Sequence, residues 1–142
     1  MEAYLAISNQ LARFARALDH RDWAAVPGIF AADISFEYGE GEQSGLPALL
    51  AQFRKYLDVC GPTQHLLGSI QLHQAGARMV SQAYVQARHQ GAGDKAQLFF
   101  DSNGDYIDQW EQRDGTWLII RRDVRWHMHM GDPAVLSFTP PE

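Results

Sequence analysis

A single cysteine, Cys60, stands in the 142 residues. One thiol cannot close an internal disulfide, and such sparse usage fits a reducing cytoplasm. Its position between an apolar helical pattern and Gly61-Pro62 suits a packed thiol at a helix end better than a nucleophile. No run of 18 or more apolar residues occurs, so no membrane-spanning segment is expected. Positive charge is scarce: 12 Lys and Arg against 17 Asp and Glu give a net charge of −5 with no basic cluster. That excludes a phosphate-backbone binder, so no nucleic-acid partner is expected. Met1-Glu2-Ala3-Tyr4 lacks the basic and apolar regions of a secretory signal, and a cytoplasmic location is expected. Neither an internal repeat nor a low-complexity tract is present. Gly39-Glu40-Gly41-Glu42 has no phosphate-loop lysine and reads as a flexible lip of a cavity mouth.

The remaining residues describe one domain with a sizeable core, spanning 1–130, followed by an irregular tail at 131–142 that wraps the surface or a partner subunit. Residues 3–19 place Tyr4, Ile7, Leu11, Phe14, Ala15 and Leu18 at three- and four-residue spacing, an amphipathic helix. Asp22 reads as the N-cap of a short second helix through Trp23, Val26 and Phe30, with Pro27 tolerated in its first turns. Residues 34–38 alternate as a short strand, and Leu46 to Leu57 form a third helix stopped by Gly61-Pro62. Long strands follow at 65–73, 78–89, 96–111 and 116–128, with a turn at 74–77 and a flexible loop at 90–95. Helices first and meandering strands afterward predict an α+β fold. The expected form is a cone-shaped barrel: a curved antiparallel sheet with three N-terminal helices on its concave face and a pocket inside.

The richest segment runs from Gly104 to Arg122. Asp114-Gly115 is a hairpin signal, because glycine tolerates the positive φ of a tight turn. Period-2 alternation puts Tyr106, Asp108, Trp110 and Gln112 on one face, continued after a two-residue loop by Trp117, Ile119 and Arg121. An acid and a guanidinium among buried aromatics need partners. They form either a pocket wall or a structural ion pair on a half-exposed sheet. Asp19 ends the apolar stripe of the first helix and points to the core side, while His65 opens the first long strand. A histidine exchanges a proton near neutral pH, and a carboxylate on its second nitrogen fixes its tautomer. Taken singly, the acid also reads as a cap and the histidine as a satisfied structural group. Trp126-His127-Met128-His129 would put two imidazoles on one strand face, with His73 and His89 as possible additions. Zinc needs three or four ligands, so no metal is expected. Arg13, Arg16, His20 and Arg21 read as a solvated helix face.

The order of these motifs is an apolar helix ending Ala17-Leu18-Asp19, then Arg21-Asp22-Trp23, then Ile29-Phe30-Ala31-Ala32-Asp33 before a strand. Thr63-Gln64-His65-Leu66-Leu67-Gly68-Ser69 follows at a strand start, then Gly104 to Trp117 with Arg121-Arg122 beyond. Over roughly residues 3–128 this resembles the SnoaL-like group of the nuclear transport factor 2-like superfamily. That group includes polyketide cyclases, scytalone dehydratase, bile-acid 7α-dehydratase and hexachlorocyclohexane dehydrochlorinase. The resemblance implies that His65 abstracts a proton and Asp19 orients it. It implies an active-site arginine at Arg122, which strict alternation places on the other face; a β-bulge would reconcile the two. Asp108 matches the acid of the polyketide cyclases. Phe14 occupies a place where the bile-acid dehydratase has a tyrosine.

The function so implied is a cofactor-independent lyase or isomerase using a His-Asp dyad on a small hydrophobic or aromatic ring substrate. Arg122, Asp108 or Tyr106 would assist the leaving group or bind a carbonyl. Expected walls of the pocket are Phe14, Trp23, Phe36, Leu49, Phe53, Tyr84, Tyr106, Trp110 and Trp117. Two other readings stand beside it: a non-catalytic ligand-binding or assembly module of the same fold, and an aldol cyclase using Asp108. No organic cofactor is expected, and a homodimer or homotrimer is implied by the outer sheet face that such a cone leaves to cover.

Overall fold

The first helix, α1 (Glu2–Asp19), buries Ile7, Leu11, Phe14 and Leu18, the stripe its spacing predicts. It ends in a Schellman turn: the Asp22 N–H donates to the Ala17 carbonyl at 2.8 Å and the Arg21 N–H to Leu18 at 3.1 Å. The left-handed position falls on Arg21, with φ of 55°. A side chain there costs about 1–2 kcal/mol, which several hydrogen bonds of its own guanidinium offset. The computed structural model describes residues 2–137. A short 3-10 helix, Trp23–Gly28, follows with Pro27 inside it, but the Asp22 side chain makes no capping hydrogen bond. Phe30 does not extend that helix; it opens the strand β1 (Phe30–Glu37).

The loop expected at 39–45 contains a short strand, β2 (Glu42–Ser44), and leads into α2 (Leu46–Leu57). Four long strands complete the chain: β3 (Cys60–Ala75), β4 (Arg78–Gly91), β5 (Phe99–Arg113) and β6 (Thr116–Gly131). Gly61-Pro62 therefore lies inside the irregular start of β3, not at a helix stop. The six strands form one sheet ordered β2-β1-β6-β5-β4-β3. Every pair is antiparallel except β1 with β6, which is parallel. The chain leaves β1 through β2 and α2 and re-enters at the far edge. Three hairpins then bring β6 back beside β1, in the same direction.

The β5–β6 hairpin turns at Asp114 (φ 50°) and Gly115 (φ 81°), the two positive φ values of a type I′ turn. Two irregularities interrupt this pair. Gln109 faces Arg121 while Trp110 faces Ile119, and Asn103 faces Met128 while Gly104 faces Trp126. Ile120 and His127 are thus extra residues, and each reverses the inward phase of β6. The inner face carries the core with Phe14, Phe30, Phe36, Leu49, Tyr106, Trp110 and Ile119. Leu66, Tyr84, Met128 and Met130 project from the outer face and are exposed. After β6, Pro133–Leu136 form a 3-10 turn with Val135 buried. The rest of the expected tail, 138–142, lies outside the described residues. No helix among the described residues is long and apolar enough to cross a membrane.

Candidate active site

A cavity of about 310 Å³ opens between the end of α1, the inner side of α2 and the inner faces of the long strands. Leu18, Tyr38, Gln52, Phe53, Tyr56, His65, His89, Phe100, Ser102, Tyr106, Trp126 and His129 are among the residues lining it.

Asp19 and His65 meet at its edge. His65 Nδ1 lies 2.7 Å from Asp19 Oδ1, with the two side chains 5% and 16% exposed. An ionised carboxylate only accepts, so Nδ1 carries the proton and Nε2 is left with its lone pair. The His65 backbone N–H donates to Asp19 Oδ2 at 2.9 Å, and the Thr63 hydroxyl to Oδ1 at 2.9 Å. Burial alone would raise the Asp19 carboxyl. The hydrogen bonds from His65, together with that from Thr63, outweigh it and hold the group below its ordinary range. Behind this pair stands Arg21, which is not part of a solvated face. Its guanidinium donates to the carbonyls of Leu18, Leu57 and Gly61 and, at 2.8 Å, to Thr63 Oγ1. A hydroxyl that accepts from Arg21 turns its own proton to Asp19.

Arg122, not Arg121, faces inward, and the extra residue Ile120 is the reason. Arg122 and Asp108 are directly opposite across β5 and β6 and are both fully buried. Nε donates to Oδ1 at 2.7 Å and Nη2 to Oδ2 at 2.8 Å. Burial would strip the proton from Arg122, but the Asp108 carboxylate more than offsets this and keeps the guanidinium charged. Burial pushes Asp108 up, with Arg122 pulling against it. The guanidinium carbon sits 4.2 Å from the ring centre of Phe14 and 4.0 Å from that of Tyr106. Asp108 does not line the cavity, and both its oxygens are taken, which removes the ground for an Asp108-based aldol reading. Arg122 does not line the cavity itself; it reaches it through the Tyr106 ring and through Tyr38, whose oxygen accepts from Nη1 at 3.2 Å. Arg121 points outward to Asp123, Ser35 and Glu42.

Tyr38, His89 and Gln52 line the cavity, although the sequence reading gave them no place there. Tyr38 follows Ile34 and Phe36 at period 2, so alternation does carry a signal for it. Its phenol is pushed up by burial and pulled back by the Arg122 charge. With Arg122 donating to its oxygen, its own proton is left to give. His89 shares the inward phase of β4 with Ser81, Ala83, Val85 and Ala87. Its Nδ1 donates to the Phe100 carbonyl at 2.8 Å, leaving Nε2 as an acceptor. Its ring centre is 5.9 Å from that of His65. Burial lowers its pKa, so the ring is neutral near pH 7.

Of the expected pocket walls, Phe53 and Tyr106 line the cavity. Phe14, Phe36, Leu49 and Trp110 are buried in the core behind it, and Trp23 and Trp117 pack against that core. The Trp110 indole donates to Ser81 Oγ at 2.8 Å, which satisfies its one polar atom. Tyr84 is 58% exposed on the outer face, since β4 turns its odd-numbered residues inward. His127 and His129 do not share a face. The bulge sends His127 out to Asp105 at 2.8 Å, while His129 turns inward to Ser102. Among the described residues no group of His, Cys, Asp and Glu is placed to hold a metal ion. Cys60 donates to the Tyr56 carbonyl at 3.2 Å, and burial pushes its thiol up, away from thiolate chemistry.

No curated protein matches the sequence at a comparable level of similarity. Solved structures do match. A candidate aromatic ring hydroxylase from Novosphingobium aromaticivorans superposes with a TM-score of 0.82 at 22% identity, over 94% of this chain and 95% of that one. A candidate scytalone dehydratase from the same organism gives 0.81 at 19% identity, over 90% and 86%. The LinA-type3 hexachlorocyclohexane dehydrochlorinase of Novosphingobium barchaimii gives 0.79 at 17% identity, over 99% and 96%. At these identities the likeness establishes the fold, the cone-shaped one expected. A family model for the SnoaL-like domain matches residues 1–123. With that match over most of its length, the chain belongs to the SnoaL-like domain family.

Proposed function

We propose that this protein is a cofactor-independent lyase or isomerase of the dehydratase type, acting on a small hydrophobic ring substrate. The observation that carries the reading is the His65–Asp19 pair at 2.7 Å with the imidazole on the wall of the cavity. His65 Nε2 removes a proton from the carbon next to a carbonyl. The carbonyl oxygen gains charge and takes the hydrogen bond that Tyr38 has to give, strengthened by Arg122 behind it. His89 Nε2 accepts from the hydroxyl on the neighbouring carbon and orients it. When the carbon–oxygen bond breaks, its electron pair leaves with the oxygen. The His65 imidazolium then returns the proton to that oxygen as water. A double bond forms and the dyad is regenerated. Return of the proton to a different carbon would give a double-bond shift with the same residues.

The test is a panel of cyclic β-hydroxyketones followed by the absorbance of the conjugated product. A placed general base supplies about 10²–10⁴-fold, so His65→Ala should remove that factor from kcat while leaving ligand binding intact. A panel that binds but never turns over would favour the non-catalytic binding module. Turnover undiminished in His65→Ala would end the dyad mechanism.

A further inference from the structure

We infer that Gln52 is a specificity-determining residue that reads a second, neutral polar substituent of the substrate, away from the reacting carbon. The inference rests on the cavity being the ligand site. On α2, the inner side is otherwise apolar: Leu49, Phe53 and Leu57 are all buried. Gln52 stands in this face, three residues from Leu49 and four from Tyr56, and is only 8% exposed. An apolar side chain would suit such a position at no cost. Instead the position holds an amide with two donors and an acceptor.

That amide makes no hydrogen bond within the protein among the described residues, and its polar atoms are not sealed: the sealed, unpaired side-chain atom among those residues is Asp105 Oδ1, outside the cavity. Gln52 lines the cavity and so opens onto it. Of the other polar side chains of the wall, Tyr38 is held by Arg122, His65 by Asp19, His89 by the Phe100 carbonyl and His129 by Ser102. Gln52 is bound to none of these, which leaves it as a separate recognition point on the helical side. Among the described residues no lysine or arginine lines the cavity, so an anionic substituent would find no such counter-ion there. A hydroxyl or a carbonyl fits an amide. A hydrocarbon or halogenated ring would leave it unpaired, and a site that buries a polar group discriminates against ligands that cannot satisfy it.

Isothermal titration calorimetry with 2-naphthol and 2,7-dihydroxynaphthalene tests this. One hydrogen bond predicts that the wild type binds the diol about tenfold more tightly. Gln52→Leu should bring the ratio close to one by weakening the diol and sparing 2-naphthol. Gln52→Met, unbranched like glutamine, repeats the measurement in case leucine disturbs the helix. A wild-type ratio near one, including the case where neither ring binds, overturns the inference. A preference that survives both substitutions overturns it equally. The readout is affinity and not turnover, so the failure of the lyase reading is a separate result. His65→Ala should keep the tenfold ratio whether or not the protein is an enzyme.

Discussion

Removing the Arg122 guanidinium while leaving Asp108 in place is the sharpest perturbation the fold allows. The two groups are fully buried and joined by hydrogen bonds of 2.7 and 2.8 Å. In Arg122→Met the Asp108 carboxylate keeps its burial and loses both donors, for which the cost is about 3–5 kcal/mol. Contacts of the cation with the Phe14 and Tyr106 rings at 4.2 and 4.0 Å disappear with it. Against a total stability of about 5–15 kcal/mol, one substitution therefore consumes a large share. Asp108→Leu should cost a similar amount by stranding the arginine. The double variant strands neither charge and keeps the volume, so it should be more stable than either single by at least about 2 kcal/mol. Urea unfolding of all four proteins at pH 7 measures this. Acid supplies an internal check. In Arg122→Met the folded Asp108 has its pKa raised above the unfolded value, so protonation on acidification favours the folded state. The deficit against wild type should shrink between pH 7 and pH 5. Additive single costs, with the double as the weakest of the set, would refute the account of a pair held by mutual neutralisation.

Two further outcomes follow from the titrating groups. Burial lowers His89 from its ordinary 6.5, so the unfolded chain takes up that proton first. The contribution is complete above that value and drains as pH falls below it; His89→Leu should flatten the thermal stability profile between pH 7 and pH 5, and an unchanged slope would count against it. The Thr63 hydroxyl is one of three donors on Asp19, and Thr63→Val should move the carbon-13 titration of the Asp19 carboxyl upward toward its ordinary 3.8, with Arg21→Met doing the same more weakly; no movement in either would make Arg21 and Thr63 structural only.

What could be read in the sequence was the part whose physics is local or ordered along the chain. The type I′ turn at Asp114-Gly115 depends on two residues, and the α1 stripe depends on spacing alone. The order of Asp19, His65 and the β5–β6 motif carries the family. Aromatic identity misled where strand phase should have decided. Tyr84 lies between Ala83 and Val85, both buried, so its ring goes outside whatever its size. The same phase puts His89 inside, where composition alone suggested a spare metal ligand. Gln52 was hidden for a different reason. A glutamine in an amphipathic helix reads as surface until the curvature of the sheet shows that α2 turns this side to a cavity.

The choice between Arg121 and Arg122 shows why an accurate strand prediction still leaves the chemistry open. Both arginines are equally compatible with β6, and each has carboxylates within reach: Asp123 and Glu42 outside for the first, Asp108 inside for the second. Without Ile120 as an extra residue, Ile119 and Arg121 would share a face. Arg121 would then stand opposite Asp108, and every inward side chain beyond the bulge would change places with its neighbour. The outward partners of Arg121 fit this division. Ser35 and Glu42 come from β1 and β2 on the outer side of the sheet edge. The second extra residue, His127, reverses the phase again and brings His129 to Ser102 inside the cavity. Two single-residue insertions in one strand thus decide which cation supports Tyr38 and which imidazole reaches the mouth of the cavity. Deleting Ile120 outright, unlike pairing it in register, would remove the irregularity and leave Arg121 opposite Gln109 and Arg122 opposite Asp108.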